Sequence, residues 1–216
     1  MRLLSSATIA FLGDLRALND RQWFEAHRAD YEAHVKFPGE RFADAVSLRL
    51  REATGEAHEF RIFRIHRDIR FSKDKTPYNA HLHISFSPGG SGRKGGPTWM
   101  IGLDPDGLTV GAGIFAFSGA QLEAWREYVA GVNGEAVVAL FDRLRGSGVR
   151  LGEAELKRVP APYPPDHQHA ALLRRKGVTA WIDCPDAALA LDEKGPANCV
   201  AELLRLRDLF SLLQAL

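Results

Sequence analysis

The sequence predicts an α+β protein in which helices flank a central, mainly antiparallel sheet of about four to five strands. Residues 1–56 repeat apolar side chains at helical spacing, and residues 59–117 contain short β-branched and aromatic runs separated by turn signals. Residues 118–216 are mostly helical in pattern, with one further strand near 178–183. The length of 216 residues and the 45% hydrophobic content predict a single α+β domain over 1–216, with C-terminal helices packed on the sheet.

The N-terminal helices are predicted from spacing and from capping residues. Asp20 is a suitable N-cap for the run that follows it. Trp23, His27 and Tyr31 recur at four-residue spacing, which places them on one face of a helix. The last of these helices is expected to end near Gly55, a C-cap residue.

An antiparallel meander of four strands is predicted between Glu59 and Phe117. Turns are indicated at residues 74–77, in PGGSGRKGGP, and at Asp104-Pro105-Asp106-Gly107, where Asp-Gly tolerates the positive φ of a tight hairpin. The glycine-rich segment lacks the spacing of a phosphate-binding loop and precedes a strand from Thr98 to Leu103. A hairpin loop is therefore favoured there over a phosphate loop.

Helical signals return at Ser118. Ser118 and Gln121 form a capping box, and a second helix is expected around Glu135 to Arg145. Gly195-Pro196 is predicted to open a long final helix. Its inward-facing residues would be Leu203, Leu206, Phe210 and Leu213.

The overall charge and the cysteines limit the possible partners and location. The formal net charge is +1, from 28 Lys plus Arg and 27 Asp plus Glu, which argues against a protein that coats nucleic acid non-specifically. The N-terminal apolar stretch is too short and too mixed for a signal peptide or a membrane span. Cys184 and Cys199 form no CxxC pattern and are expected to be free thiols. We therefore expect a cytoplasmic protein without a membrane partner.

The most unusual stretch is FRIHRDIRFSKDKTPY, which begins at Phe63. If Phe60 to Phe71 is one strand, its side chains alternate between two faces. The core face would carry Arg61, Phe63, Ile65, Arg67, Ile69 and Phe71. The other face would carry Arg64, His66, Asp68 and Arg70. In the next strand, one polar face would carry Asn79, His81, His83 and Ser85, opposite Leu82, Ile84 and Phe86.

This density of cations predicts a binding site for a small anionic ligand that carries a phosphate or carboxylate group. Arginine grips such groups with two parallel hydrogen bonds, and lysine adds a point charge. The candidate ligand-binding residues are Arg64, Arg67, Arg70, Lys73, Lys75, Tyr78 and His81.

Two other interpretations stay open. The arginines can form a purely structural charge network, with Asp68 and Asp74 as local partners. Alternatively, the same basic face can serve an adaptor module that meets an acidic protein surface or a nucleic-acid backbone.

The sequence specifies neither a reaction nor a cofactor. His81 is the one proton carrier near neutral pH in this stretch, and Asp68 is expected to orient an arginine. These two are the only candidates for catalytic roles. A metal site built on His81 and His83, completed by His66 or Asp68, is disfavoured, because the neighbouring Arg64 and Arg70 repel a divalent ion. No metal or cofactor is implied, and the oligomeric state stays open.

Several motifs together resemble the bacterial and fungal family labelled domain of unknown function 2461. They are NDRQWFE from Asn19, FRIHRDIRFSKDKTPY from Phe63, and LLRRKG from Leu172. Single residues that fit the same pattern are His81, Tyr163, Asp166 and His167. The resemblance covers nearly the whole chain and implies a single α+β domain, without implying an activity, substrate or cofactor.

Within the cationic stretch, the residues that match the family pattern are Arg64, Arg67, Asp68, Arg70, Lys73, Asp74, Lys75, Tyr78 and His81. His66 and His83 stand where the family usually has a tyrosine and a small residue. The resemblance thus gives a histidine-based metal site no support.

Overall fold

The computed structural model describes residues 3–70, 72–89 and 95–216. Within these ranges the chain forms an antiparallel sheet of six strands in the order β1-β2-β3-β4-β6-β5. The strands are β1 (His58–Ile62), β2 (Leu82–Pro88), β3 (Thr98–Asp104), β4 (Gly107–Ile114), β5 (Arg150–Leu151) and β6 (Val178–Cys184). The predicted α+β class is confirmed, and the expected strand count was slightly low because β5, with two residues, is too short to leave a pattern in the sequence.

One group of helices precedes β1, and a second group begins after β4. The first group is α1 (Ser6–Ala17), α2 (Arg21–Ala26), α3 (Arg28–Tyr31), a π-helical segment (Glu32–Lys36) and α4 (Phe37–Thr54). The second group is α5 (Gly119–Ala130), α6 (Gly134–Gly146), α7 (Ala170–Leu173), α8 (Ala188–Leu191), α9 (Gly195–Leu204) and α10 (Arg207–Gln214). In this group, α5 and α6 come before β5, and α7 lies between β5 and β6. None of the helices in the described ranges is both long enough and apolar enough to cross a membrane.

The caps predicted from the sequence are present. The Asp20 carboxylate accepts a hydrogen bond from the Trp23 backbone N–H at 2.9 Å. Gly55 ends α4 with φ of 79°, a left-handed conformation that favours glycine. The Gln121 side chain accepts from the Ser118 backbone N–H at 3.0 Å, as a capping box requires. Each of these caps depends on residues only a few positions apart.

The Asp-Gly hairpin is also confirmed. β3 ends at Asp104 and β4 begins at Gly107, and the Asp104 carboxylate accepts hydrogen bonds from the N–H groups of Asp106 and Gly107 at 2.8 and 3.1 Å. The centre of the predicted PGGSGRKGGP loop, residues 90–94, lies outside the described residues.

The chain divides into two compact units. The first consists of Met1–Gly90, Met100–Val110 and Asp183–Glu202, and the second of Ser91–Trp99, Gly111–Ile182 and Leu203–Leu216. A single domain stays a prediction.

The first unit contains an aromatic cluster that ties its helices to the chain after β1. The Phe24 ring stacks on the Tyr78 ring with centroids 4.2 Å apart. Ile65 and Tyr78 are buried here, with exposed fractions of 6% and 4%. The buried members of the cluster are Phe11, Leu12, Leu15, Phe24, Val35, Ile65 and Tyr78. This cluster fixes both ends of the cationic stretch.

In the second unit, two tryptophans occupy the core. Trp99 is completely buried and stacks on Phe210 with ring centroids 3.9 Å apart. The Trp125 indole N–H donates to the Leu172 carbonyl oxygen at 3.1 Å. Aromatic stacking and a satisfied indole donor are typical of stable cores.

The prediction of one long final helix was wrong. The helical run breaks after Leu204, and α10 begins at Arg207, because the backbone of Leu206 (φ −97°, ψ 9°) leaves the helical region. The four apolar side chains expected to face inward are buried nevertheless.

Candidate functional site

The candidate site begins where β1 pairs with β2. Arg61 lies opposite Ser85 in the antiparallel register, and Ile62 lies opposite Ile84. The Phe63 N–H donates to the His83 carbonyl oxygen at 2.9 Å, which carries the pairing one residue beyond the end of β1. Arg61, Phe63 and His83 therefore lie on the same face of the sheet.

The face predicted for this first strand was wrong within β1, although Ile65, assigned to the same core face, is buried. Arg61 and Phe63 were expected on the core face, but both are exposed. Ile62, between them, points the other way, toward the side on which Ile84 of β2 is buried. A shift of one residue exchanges the two faces of a strand, and the neighbouring strand rather than the local pattern sets the register. The buried face predicted for β2, formed by Leu82, Ile84 and Phe86, is confirmed.

The predicted strand from Phe60 to Phe71 was also too long. β1 ends at Ile62, and the chain then runs as an irregular ribbon through residues 63–70 and 72–79. Phe71, which was also assigned to the core face, lies outside the described residues. The Asn79 N–H donates to the Ile65 carbonyl at 2.7 Å, and the Arg67 N–H donates to the Pro77 carbonyl at 2.8 Å. Burial of Ile65 in the aromatic cluster draws the chain away from β2. The arginines after it are consequently not arranged in a regular two-face alternation.

The end of β1, this ribbon and the start of β2 line a cavity of about 330 Å³, here called the cationic pocket. Its lining residues are Arg61, Phe63, Arg64, His66, Arg67, Asp68, Asn79, His81 and His83. Three guanidinium groups and three imidazoles thus face one carboxylate. Within the described ranges, no carboxylate lies within 4.0 Å of the Arg61 or Arg64 guanidinium. The pocket is therefore rich in hydrogen-bond donors and in positive charge.

A second cavity of about 280 Å³ shares part of this lining. It is bounded by Arg64, His66, Arg67, Asp68 and Arg70. The Arg70 guanidinium donates to both carboxylate oxygens of Asp68, at 2.9 and 2.7 Å. This pairing lowers the pKa of Asp68 and raises that of Arg70. Asp68 thus holds the Arg70 guanidinium in a bidentate ion pair.

Arg67 fastens the loop that closes the ribbon. Its guanidinium donates to the Asp74 carboxylate, to the Thr76 hydroxyl, and, at 3.3 Å, to the Thr76 carbonyl oxygen. The hydrogen bond from the Thr76 backbone N–H and the Arg67 guanidinium lower the pKa of Asp74 to about 2. Part of the positive charge of Arg67 is therefore committed to holding the loop.

Two histidines stack beside the arginines. The rings of His81 and His83 lie 3.8 Å apart, nearly parallel, at 24°. Burial lowers the pKa of His81 below its ordinary value, and Arg67 lowers it further while Asp104 opposes both. Partial desolvation of the ring, followed by the neighbouring His81, lowers the pKa of His83 to about 4. At neutral pH both imidazoles are neutral, and each carries one donor and one acceptor nitrogen.

The His83 ring lies against Gly102 of β3, which explains its desolvation although the residue is exposed. A Cβ atom on Gly102 would lie 2.9 Å from both Cδ2 and Nε2 of His83. Contacts this short are not tolerated, so any larger residue at this position displaces the ring.

The Gly102→Ala substitution is expected to turn the His83 ring outward and to separate it from His81. The pKa of His83 should then rise from about 4 toward the ordinary value of about 6.5, because the ring regains water and loses its stacked neighbour. An NMR titration of the histidine ring protons measures this pKa. An unchanged His83 pKa in the variant would contradict the packing described.

The structure brings together some of the predicted ligand-binding residues and separates others. Arg64, Arg67 and His81 line the cationic pocket, and Arg70 lines the adjacent cavity. Tyr78 is buried in the aromatic cluster. Lys73 and Lys75 are exposed on the loop, where the Lys75 ammonium donates to the Ile69 carbonyl at 3.0 Å.

Two residues of the pocket were assigned elsewhere by the sequence. Arg61 and Phe63 were placed on the core face. In β1 they alternate with Phe60 and Ile62, and this alternation was the signal in the sequence that could have placed them on the exposed face.

Among the described residues, no group of three or more histidine, cysteine, aspartate or glutamate side chains is arranged to hold a metal ion.

The fold and site define an α+β protein whose β1–β2 edge carries a cation-lined pocket. The chain belongs to the family described as conserved hypothetical protein (DUF2461), whose family model matches residues 7–211. The resemblance identified from the sequence is thereby confirmed. No curated protein matches the chain.

Proposed function

We propose that this protein binds a small anionic ligand, bearing a phosphate or a carboxylate group, in the cationic pocket. The observation that carries the proposal is the convergence of Arg61, Arg64 and Arg67 on one cavity whose lining contains a single carboxylate. Charge-assisted hydrogen bonds from arginine to an oxyanion are among the strongest in proteins. Arg67 has a matching acid in Asp74, whereas within the described ranges neither Arg61 nor Arg64 has the acid within 4.0 Å that would be expected if these cations served only the fold.

Arg64 is the principal anion-binding residue in this proposal. Its side chain is exposed and lines both cavities, and no ion pair occupies its guanidinium within the described ranges. Arg67 contributes charge while it holds Asp74. Arg70, Lys73 and Lys75 extend the positive field along the loop and attract the anion at longer range.

The histidines would complete the site as neutral hydrogen-bond partners. A bound anion next to His81 and His83 favours their protonated forms, so ligand binding is expected to raise both pKa values. If the ligand is also transformed, His81 is the residue placed to accept a proton, because its lowered pKa keeps its imidazole neutral at physiological pH.

The concave shape favours a small ligand over a protein or nucleic-acid surface. A volume of about 330 Å³ lies at the lower end of the range of about 300–1,000 Å³ that is typical of small-molecule sites. Cys184 and Cys199 form no disulfide bond, which suits the reducing cytoplasm that we propose as the location.

The Arg64→Ala variant tests the proposal. Inorganic phosphate should bind it about ten- to a hundredfold more weakly than it binds the original protein, because one charge-assisted hydrogen bond contributes roughly 1.5–3 kcal/mol. Isothermal titration calorimetry at fixed salt gives the affinities. Arg41→Ala is the matched control, since Arg41 is an exposed arginine on α4 outside the pocket.

If phosphate affinity falls equally in Arg64→Ala and Arg41→Ala, phosphate is attracted by the general positive charge of the protein and not bound at a specific site. Absence of phosphate and carboxylate binding to the original protein would overturn the proposal. The same titration can be made with a nucleic acid in place of phosphate. Binding of the nucleic acid that weakens steeply with added salt would support the adaptor alternative instead.

A further inference from the structure

The cationic pocket contains an aromatic surface that an anion alone does not require. Phe63 lines the pocket with 49% of its surface exposed. Large hydrophobic side chains are usually buried, and leaving a phenylalanine in water forgoes the free energy that its burial would provide. An exposed aromatic ring beside several arginines therefore suggests a ligand with a flat apolar part as well as a charged part.

The ring is held in a defined position. The Phe63 N–H is bonded to the His83 carbonyl oxygen, which extends the β1–β2 pairing through this residue. The Arg61 guanidinium lies over the ring, 5.2 Å from its centroid, and covers one face. Half of the side chain is nevertheless exposed, and it lines the pocket, so part of the ring is accessible to a ligand there.

Other groups in the pocket suit a heterocyclic base. Asn79 lines the same cavity, and its amide offers a donor and an acceptor side by side, the arrangement that pairs with the edge of adenine. The neutral imidazoles of His81 and His83 add further donors and acceptors. Aromatic and guanidinium planes are the surfaces on which bases stack in nucleotide and single-strand binding proteins.

We propose that the ligand of the cationic pocket is a mononucleotide, with its base stacked on Phe63 and its phosphate held by Arg64 and Arg67. This inference rests on the proposed function and specifies its ligand. The cavity of about 330 Å³ is within the size range of small-molecule sites, which suits one nucleotide.

Three probes with a common phosphate separate the contributions: inorganic phosphate, ribose 5-phosphate and AMP. Their dissociation constants are measured by calorimetry for the original protein and for Phe63→Leu, Phe63→Tyr and Arg64→Ala. The matched control is Phe115→Leu, which changes another exposed phenylalanine, in the second unit. Melting temperatures confirm that each variant is folded.

AMP is expected to bind about tenfold more tightly than ribose 5-phosphate, because stacking of a base on an aromatic ring strengthens binding by about this factor. The Phe63→Leu variant should lose this preference while its affinity for ribose 5-phosphate is unchanged. Phe63→Tyr and Phe115→Leu should keep the preference. Arg64→Ala should weaken both phosphate esters alike.

Equal binding of AMP and ribose 5-phosphate by the original protein would overturn the nucleotide assignment and leave the anion site in place. Retention of the preference in Phe63→Leu would overturn the role of Phe63, and with it the proposed stacking. If none of the three probes binds, the nucleotide assignment fails, and the proposed function fails with it when a simple carboxylate such as acetate does not bind either.

Discussion

The Gly113→Ala substitution is expected to lower the free energy of unfolding by about 3 kcal/mol or more. Gly113 lies in β4 with φ of 145°, a conformation that residues with a Cβ atom rarely adopt. A Cβ atom here would overlap the carbonyl oxygen of Val178 and approach the Cα of Thr179 to 2.7 Å. Both are backbone atoms of β6 and cannot rotate away, so strain of about 1–3 kcal/mol adds to overpacking of similar size.

Chemical denaturation followed by tryptophan fluorescence measures this change. The matched control is Gly13→Ala in α1, where an added Cβ meets nothing within 4 Å. Alanine has the higher helix propensity, so this variant should be more stable than the original protein by up to about 1 kcal/mol. A Gly113→Ala protein within about 0.5 kcal/mol of the original would contradict the close approach of β4 and β6.

Truncation of Tyr78 to alanine should destabilise the protein by about 3–5 kcal/mol, the usual cost of removing a buried aromatic ring. Only 4% of Tyr78 is exposed, and its ring stacks on the Phe24 ring. The Tyr78 ring also meets the His66 ring edge to face, with the two ring centroids 5.1 Å apart. Loss of the ring would leave a void beneath the ribbon that carries the pocket. The midpoint of urea unfolding reports the effect.

The Tyr78→Phe variant separates this structural role from ligand binding. Phenylalanine keeps the ring and its packing, so stability should change by less than about 0.5 kcal/mol, and phosphate affinity should be unaffected. A large loss of phosphate affinity in Tyr78→Phe would show that the hydroxyl contacts the ligand, in agreement with the sequence-based prediction that Tyr78 binds the ligand. The pair of variants therefore decides whether this motif residue acts through the core or through the site.

The sequence predicted several of the residues that form the candidate site, but it did not predict how they are arranged in space. Arg64, Arg67 and His81 were identified from the sequence because cationic and proton-carrying side chains are conspicuous in an apolar run. Arg61 and Phe63 were assigned to the core, since the alternation was counted across a strand that ends at Ile62. The error arose because Ile65 is buried in the aromatic cluster with residues of the N-terminal helices, so the chain leaves the sheet before this residue.

The sequence alone determined the features that depend on neighbours within a few residues: the cap at Asp20, the left-handed end of α4 at Gly55, the capping box at Ser118 and the hairpin after Asp104. It also identified the family through its motifs. Only the tertiary structure decided where β1 stops, which face of the sheet is exposed, and which cations share a pocket. These outcomes depend on pairing with β2, about twenty residues away, and on burial beneath the N-terminal helices, so no local pattern contains them.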